Sequence, residues 1–239
     1  MKTVIITGAN GNLGTACVKK LLEAGHRVIA VDAQDTHLGF AGGNPSYTFA
    51  TVNLGNEAET AAFIGNSIKQ YGKIDAALLL VGGFAAGAIA VTPGTDIHKM
   101  FSLNFDTAYF MARPLLTHMQ QHNEGRLIFV GARPALQAAQ GKDLLAYALS
   151  KSLLFKLADF INEETKGKNI TASVIVPSTI DTVINRQSMP DANPADWVTP
   201  EALANTMESG MSHLILGPVV GAVCGVAGGA VSRLRSWRF

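Results

Sequence analysis

Charge is scarce in this chain. Lys, Arg, Asp and Glu make up 15% of its 239 residues and nearly cancel, leaving a net charge of +1. That balance offers no field to hold nucleic acid, and no nucleic-acid partner is expected. Cysteine is rarer still. Cys17 and Cys224 stand far apart, which excludes a disulfide framework and any zinc-ligand spacing. Aromatic residues reach only 7%, but hydrophobic residues reach 48%, as in a compact globular protein rather than a disordered one. Before the first strand, which begins by Thr3, there is no signal-peptide pattern, so a cytoplasmic location is the expectation.

Long hydrophobic runs are also few. Leu214 to Val231 has no charge over eighteen residues and is followed by Arg233, Arg235 and Arg238, with Gly217, Gly221, Gly225 and Gly229 recurring every four. This spacing imitates a membrane helix with a pairing face. Five glycines and Pro218 in the same stretch argue against a helix. It reads instead as turn, strand, turn, with a last buried strand near 222–226 and no membrane partner.

What is present alternates. Strands are predicted near 3–7, 28–32, 47–53, 74–81, 126–131, 170–176 and 222–226, with helices near 13–24, 57–71, 96–121, 146–165 and 200–212. The strand near 74–81 is almost wholly apolar, as strands are when both sheet faces are covered. The pattern predicts an α/β fold, a doubly wound parallel sheet of about seven strands with helices on both faces. The length suits one domain over 1–239. Residues 182–199, with Pro190, Pro194 and Trp197, are too long for a plain connector and read as a substrate lid.

The first strand runs into Gly8-Ala9-Asn10-Gly11-Asn12-Leu13-Gly14 and then a helix. Strand, glycine loop and helix in this order are the context of a dinucleotide site. Gly8 serves the turn, Gly11 admits the diphosphate, and Gly14 lets helix pack on strand. Asn10, Asn12 and Leu13 share that loop as candidate contacts. Asp32 ends the second strand eighteen residues after Gly14, where an acid meets the adenosine ribose. Its charge would repel a 2′-phosphate, and no Lys or Arg lies between Gly8 and Gly14 or directly after Asp32. NAD(H) is therefore expected over NADP(H).

Far downstream, Tyr147 and Lys151 stand one helical turn apart on a shared face. An ammonium beside a phenol favours the phenolate and makes a usable proton donor and acceptor. His118 and His122 also have an i, i+4 spacing, but no third ligand accompanies them. They read as solvated residues at a helix end, and no metal site is expected.

Together, the Thr7-Gly8 loop, Asp32 and Tyr147-x-x-x-Lys151 resemble the short-chain dehydrogenase/reductase family over the whole chain. Leu103-Asn104 looks like its active-site Asn, and Pro177 to Thr182 like the loop that caps the nicotinamide. Gly228-Gly229 looks like the end of its last strand. The resemblance implies Tyr147, Lys151 and Asn104 as catalytic, Lys151 on the nicotinamide ribose, and Asn104 holding a water. It implies Gly82, Gly83, Pro177, Thr179 and Thr182 as further cofactor contacts. It also implies a homodimer or homotetramer built through the two long helices.

Two departures stand out. Asn12 occupies a glycine position, and Ala132 stands where the family carries a catalytic serine. Ser150, beside Lys151, points away from the Tyr147 face. The dihydropteridine reductase branch shares the loss of serine. Val81-Gly82-Gly83-Phe84-Ala85-Ala86-Gly87, Gly131-Ala132 and the run from Ile180 to Pro190, continued by Trp197, look like that branch. This resemblance implies an NADH-dependent reductase of a quinonoid dihydropterin-like small molecule, with Tyr147 as proton donor. Phe84, Ala132, Arg133 and Trp197 are the candidate substrate contacts. Two alternatives stay open: a family enzyme acting on a carbonyl or alcohol, and a non-catalytic dinucleotide sensor.

Overall fold

The computed structural model describes residues 1–36, 38–212 and 222–223. Seven parallel strands form one sheet in the order β3-β2-β1-β4-β5-β6-β7. They are β1 (Thr3–Thr7), β2 (Arg27–Asp32), β3 (Tyr47–Thr51), β4 (Ala76–Leu79), β5 (Glu124–Val130), β6 (Asn169–Pro177) and β7 (Ala222–Val223). The chain leaves β1 toward one edge, then returns to β1's other side, where Thr7 pairs with Leu79. That reversal opens a crevice past the carboxyl ends of β1 and β4, the place where ligands bind in such sheets.

Strand alternation sorts the core into two layers. Ile5, Ala77, Leu127 and Phe129 face one side, against α2 (Glu57–Tyr71), α4 (Thr107–His122) and α6 (Leu145–Glu164). Val4, Ile6, Leu78 and Ile128 face the other, against α1 (Asn12–Glu23) and α8 (Pro200–Ser212). Side chains of period two on a sheet covered twice favour apolar residues on both faces, and β4 carries them at every position while β1 does so between Thr3 and Thr7. Phe129 and Ile5 are fully buried, and truncation to alanine is expected to cost about 3–5 kcal/mol at Phe129 and about 2–5 kcal/mol at Ile5.

Helix ends follow local chemistry. Asn56 caps α2 by accepting from Ala58 N and Glu59 N at 3.0 and 3.2 Å, and Gly72 ends it with a φ of 77°. The helix expected over 96–121 is interrupted. It comprises α3 (Gly94–Phe101), a π-helical turn at Ser102–Asp106 and then α4. Short helices α5 (Ala138–Gly141) and α7 (Val183–Ser188) complete the set, and α7 gives regular structure to part of the segment read as an irregular lid.

His118 corrects one expectation. It is buried rather than solvated, and its Nε2 accepts from Ile74 N at 3.1 Å. Burial and the charge of His122 hold its pKa below the usual histidine value. The Gly228-Gly229 motif, Cys224, the arginine-rich end and most of 214–231 lie outside the described residues. Among the described residues, no helix is long and apolar enough to cross a membrane, and no group of three or more His, Cys, Asp or Glu could hold a metal.

Candidate active site

At the switch point a groove of about 770 Å³ runs along the carboxyl ends of the strands. One wall is built from Gly8, Asn10, Gly11, Asp32–Gln34, 52–55 and 80–82. Lys99, Ser102, Leu103 and Thr107, from α3, the π turn and α4, complete the groove's lining. The glycine loop is as tight as its sequence demands. A Cβ on Gly14 would lie 2.1 Å from Gly8 O, so α1 could not sit this close to β1 with any other residue. Gly8 takes a φ of 65°. No side chain caps α1 at Gly11, and its first turn carries no acid, leaving its amino end open to an anion.

Asp32 is fixed rather than loose. Its Oδ2 accepts from Asn10 N at 3.0 Å and its Oδ1 from Gln34 N at 3.3 Å. Asn10 donates in turn to Gln34 O at 3.1 Å, while its own Oδ1 is buried without a partner. A loop cradle, an open helix end, a fixed acid and an orphaned amide oxygen fit a dinucleotide. Asn12 and Leu13 begin α1, Asn12 exposed and Leu13 packed on the core; neither lines the groove.

Gly82 joins this groove to the Tyr147 region. A Cβ there would lie 2.7 Å from Asn104 Oδ1 and 3.0 Å from Lys151 Nζ. Asn104 is fully buried in the π turn. It accepts from Gly83 N at 2.8 Å, returns a bond to Gly83 O at 3.2 Å, and donates to Ser150 Oγ at 2.9 Å. Ser150 donates to Tyr147 O at 2.8 Å. The Asn104 amide is a strut that ties the Gly82-Gly83 loop to α6. The serine's direction away from the Tyr147 ring agrees with the helical spacing.

Lys151 is buried and donates to Val130 O at 2.9 Å. Desolvation disfavours its charge and lowers its pKa to about 8. Tyr147, half-buried, is pushed up to about 12 by the same cause. The expected lowering of the phenol by Lys151 is therefore outweighed by burial, and the phenol is loaded with its proton at neutral pH. Among the described residues its hydroxyl has no hydrogen-bond partner. Phe84, 65% exposed, packs edge-on against the Tyr147 ring with centroids 5.1 Å apart, so it is a wall beside Tyr147 rather than core.

Ala132 is buried just past β5 and caps a 3-10 turn at Arg133–Ala135. Arg133 is half-buried with no hydrogen bond or ion pair among the described residues. Pro177 ends β6, and Thr179 O accepts from Val198 N at 2.9 Å. Thr182 accepts from Asn185 N at 3.1 Å as the cap of α7. Trp197 is half-buried at the far foot of this excursion, and no ring contact among the described residues joins it to Phe84 or Tyr147. Lys99, Gln34 and Asn53 line the groove without having been singled out in the sequence, because a helix-surface lysine or loop amide carries no motif of its own.

A family model described as short chain dehydrogenase matches residues 2–193. The chain belongs to the short-chain dehydrogenase family. It is thus an NAD(P)-dependent oxidoreductase, which sets aside the reading as a non-catalytic sensor. The oxidoreductase YvrD of Bacillus subtilis is 26% identical over 180 residues, spanning 74% of this chain and 67% of that one. A 2-(R)-hydroxypropyl-CoM dehydrogenase of Xanthobacter autotrophicus is 24% identical over 190 residues, spanning 76% and 75%. The solved structure of ElxO with NADP bound superposes with a TM-score of 0.83 at 19% identity, over 92% of this chain and 96% of that one. At that identity the likeness bears on the fold alone.

Proposed function

We propose that this short-chain dehydrogenase is an NADH-dependent reductase of a planar, electron-poor heterocycle of the quinonoid dihydropterin type, built as one dinucleotide-binding domain. The observation that carries the reading is Ala132, buried beside the Tyr147 helix where the family's serine hydroxyl would orient a carbonyl. A site without that hydroxyl is poorly equipped for a small ketone. A flat ring can be held by stacking and backbone groups, and Phe84 offers an exposed aromatic face next to Tyr147. Trp197 and Arg133 are further candidate substrate contacts, and 182–199 the lid.

The bound dinucleotide supplies the hydride. Gly8, Asn10, Gly11 and Gly14 would hold its diphosphate, Asp32 its adenosine ribose, and Gly82, Gly83, Pro177, Thr179 and Thr182 its nicotinamide half. Tyr147 gives its phenolic proton to the substrate nitrogen or oxygen that gains electron density, and is reprotonated from solvent. With its pKa pushed up to about 12, the phenol carries its proton at neutral pH. Lys151, still mostly an ammonium at pH 7, would hold the nicotinamide ribose. Asp32 supports NADH over NADPH. The stacked Phe105 and Tyr109 rings, with Leu149 and Phe160 exposed on α6, support a homo-oligomer through α4 and α6.

A carbonyl or alcohol substrate is the second reading, favoured by the likeness to a relative named as a hydroxypropyl-CoM dehydrogenase. The test is NADH and NADPH oxidation by the purified chain, with chemically generated quinonoid dihydropterin set against ketones, aldehydes and quinones. Selective NADH-linked turnover of the pterin supports the first reading. Turnover of carbonyls alone sinks it, and Ala132→Ser should then raise that carbonyl activity further.

A further inference from the structure

The groove contains a second charged residue. Asp32, at the end of β2, and Lys99, on α3, are the two charged residues that line it. Lys99 lies in the last turn of α3, just before the helical path continues through the π turn. It is exposed and makes no hydrogen bond or ion pair among the described residues. Asp32 differs in mobility as well as sign. Backbone N–H groups of Asn10 and Gln34 hold its two oxygens, so it cannot swing aside from an incoming phosphate. Lys99, on a four-carbon stem, can follow one.

We propose that Lys99 is a specificity-determining residue that partly offsets Asp32 by meeting a 2′-phosphate on the adenosine ribose. The groove then discriminates against NADPH by a difference between a fixed anion and a mobile cation, not by Asp32 alone. This inference rests on the dinucleotide reading of the groove, but not on which dinucleotide the protein prefers. Lys99 gains much less from the neutral 2′-hydroxyl of NADH than from a charged 2′-phosphate, so its removal should weaken NADPH selectively.

The experiment is equilibrium binding of NADH and NADPH to the full chain, followed by nicotinamide fluorescence or calorimetry, for wild type, Lys99→Ala, Lys99→Glu and Asp32→Asn. Lys99→Ala should weaken NADPH about fivefold, the size of one exposed charge contact, and leave NADH within about twofold. Lys99→Glu should widen the gap further, and Asp32→Asn should narrow it. Raising salt should erase much of the Lys99 effect. Equal weakening of both cofactors would put Lys99 on their shared diphosphate and overturn the proposal, as would no change in either. Failure of the wild type to bind either dinucleotide would overturn the groove assignment itself. A wild type that prefers NADPH would overturn only the NADH preference, provided that Lys99→Ala still acts selectively. Unfolding temperatures of the variants, at an exposed position, separate lost binding from lost fold.

Discussion

Several cations at the two ends of the same sheet are treated in opposite ways, whereas Asp32 and the Arg186–Asp181 pair at the carboxyl ends are already satisfied. At the amino ends, charged groups are consumed by the backbone and by one another. Asp75 accepts from Thr3 N at 2.8 Å, Lys73 pairs with Asp75 and Glu124, and Arg126 donates to Gly125 O, Asn169 O and Asn169 Oδ1. At the carboxyl ends, Lys99 and Arg133 have no partner among the described residues, Lys151 has one carbonyl, and the Tyr147 hydroxyl has none. Groups that are already satisfied hold the fold. Groups left wanting are placed for a ligand.

The strongest way to break that contrast is Tyr147→Phe. Turnover is expected to fall by about 10²–10⁴-fold, the usual worth of a positioned proton donor. NADH affinity and unfolding temperature should barely move, since the phenyl ring keeps its edge contact with Phe84. A large loss of stability instead would place Tyr147 with the structural groups.

Next in size is the pH dependence of stability from Lys151. Its folded pKa of about 8 lies below the ordinary 10.5, so between those values the unfolded chain binds more protons and stability rises with pH. The contribution is on the order of 3 kcal/mol at most. Above pH 10 Tyr147 opposes it, because its folded pKa is raised to about 12 and the unfolded chain loses that proton first. Denaturant titrations from pH 7 to 10 should show the rise in wild type and lose it in Lys151→Met. A flat wild-type curve would mean that Lys151 is not desolvated.

At the opposite end, Arg126→Met should cost about 2–4 kcal/mol, because the Asn169 groups lose a buried, hydrogen-bonded cation. Its kcat should stay within about twofold, since the change lies far from the chemistry. The smallest effect is expected at Lys73→Met. Its partners raise its pKa, Glu124 foremost, but the pair is more than a third exposed, so about 0.5–1 kcal/mol is all that screening leaves. Thermal denaturation checks both, and a change in kcat at either position would blur the division between the ends.

Much of this division is visible in the sequence, for physical reasons that differ by element. Strands covered on both faces are mostly apolar, so Val4–Ile6 and Val28–Val31 are legible, and the glycine loop shows because Gly14 admits no Cβ. The π turn at Ser102–Asp106 is not legible, since one extra residue hardly disturbs a helical period over 96–121. Yet it is this turn that carries the Asn104 amide to Gly83 and makes it a strut. Tyr147 and Lys151 are singled out by their spacing together with the glycine loop far upstream, but not the sense of their pKa shifts, which depends on burial that only the assembled fold supplies. Lys99 is invisible for the same reason: its meaning comes from Asp32 in the same groove.

The foot of the excursion at 182–197 carries a separate consequence. Asp181 N donates to Val198 O at 2.8 Å and Val198 N to Thr179 O at 2.9 Å, so the segment leaves and re-enters the fold through a clasp of its own. Such a segment behaves as an interchangeable cassette. Lengthening it costs little, about 0.6 kcal/mol for each doubling of a flexible loop, and the clasp keeps that change from reaching β6. New binding preferences could therefore be grafted between Asp181 and Val198 while the strands that carry the cofactor groove stay as they are.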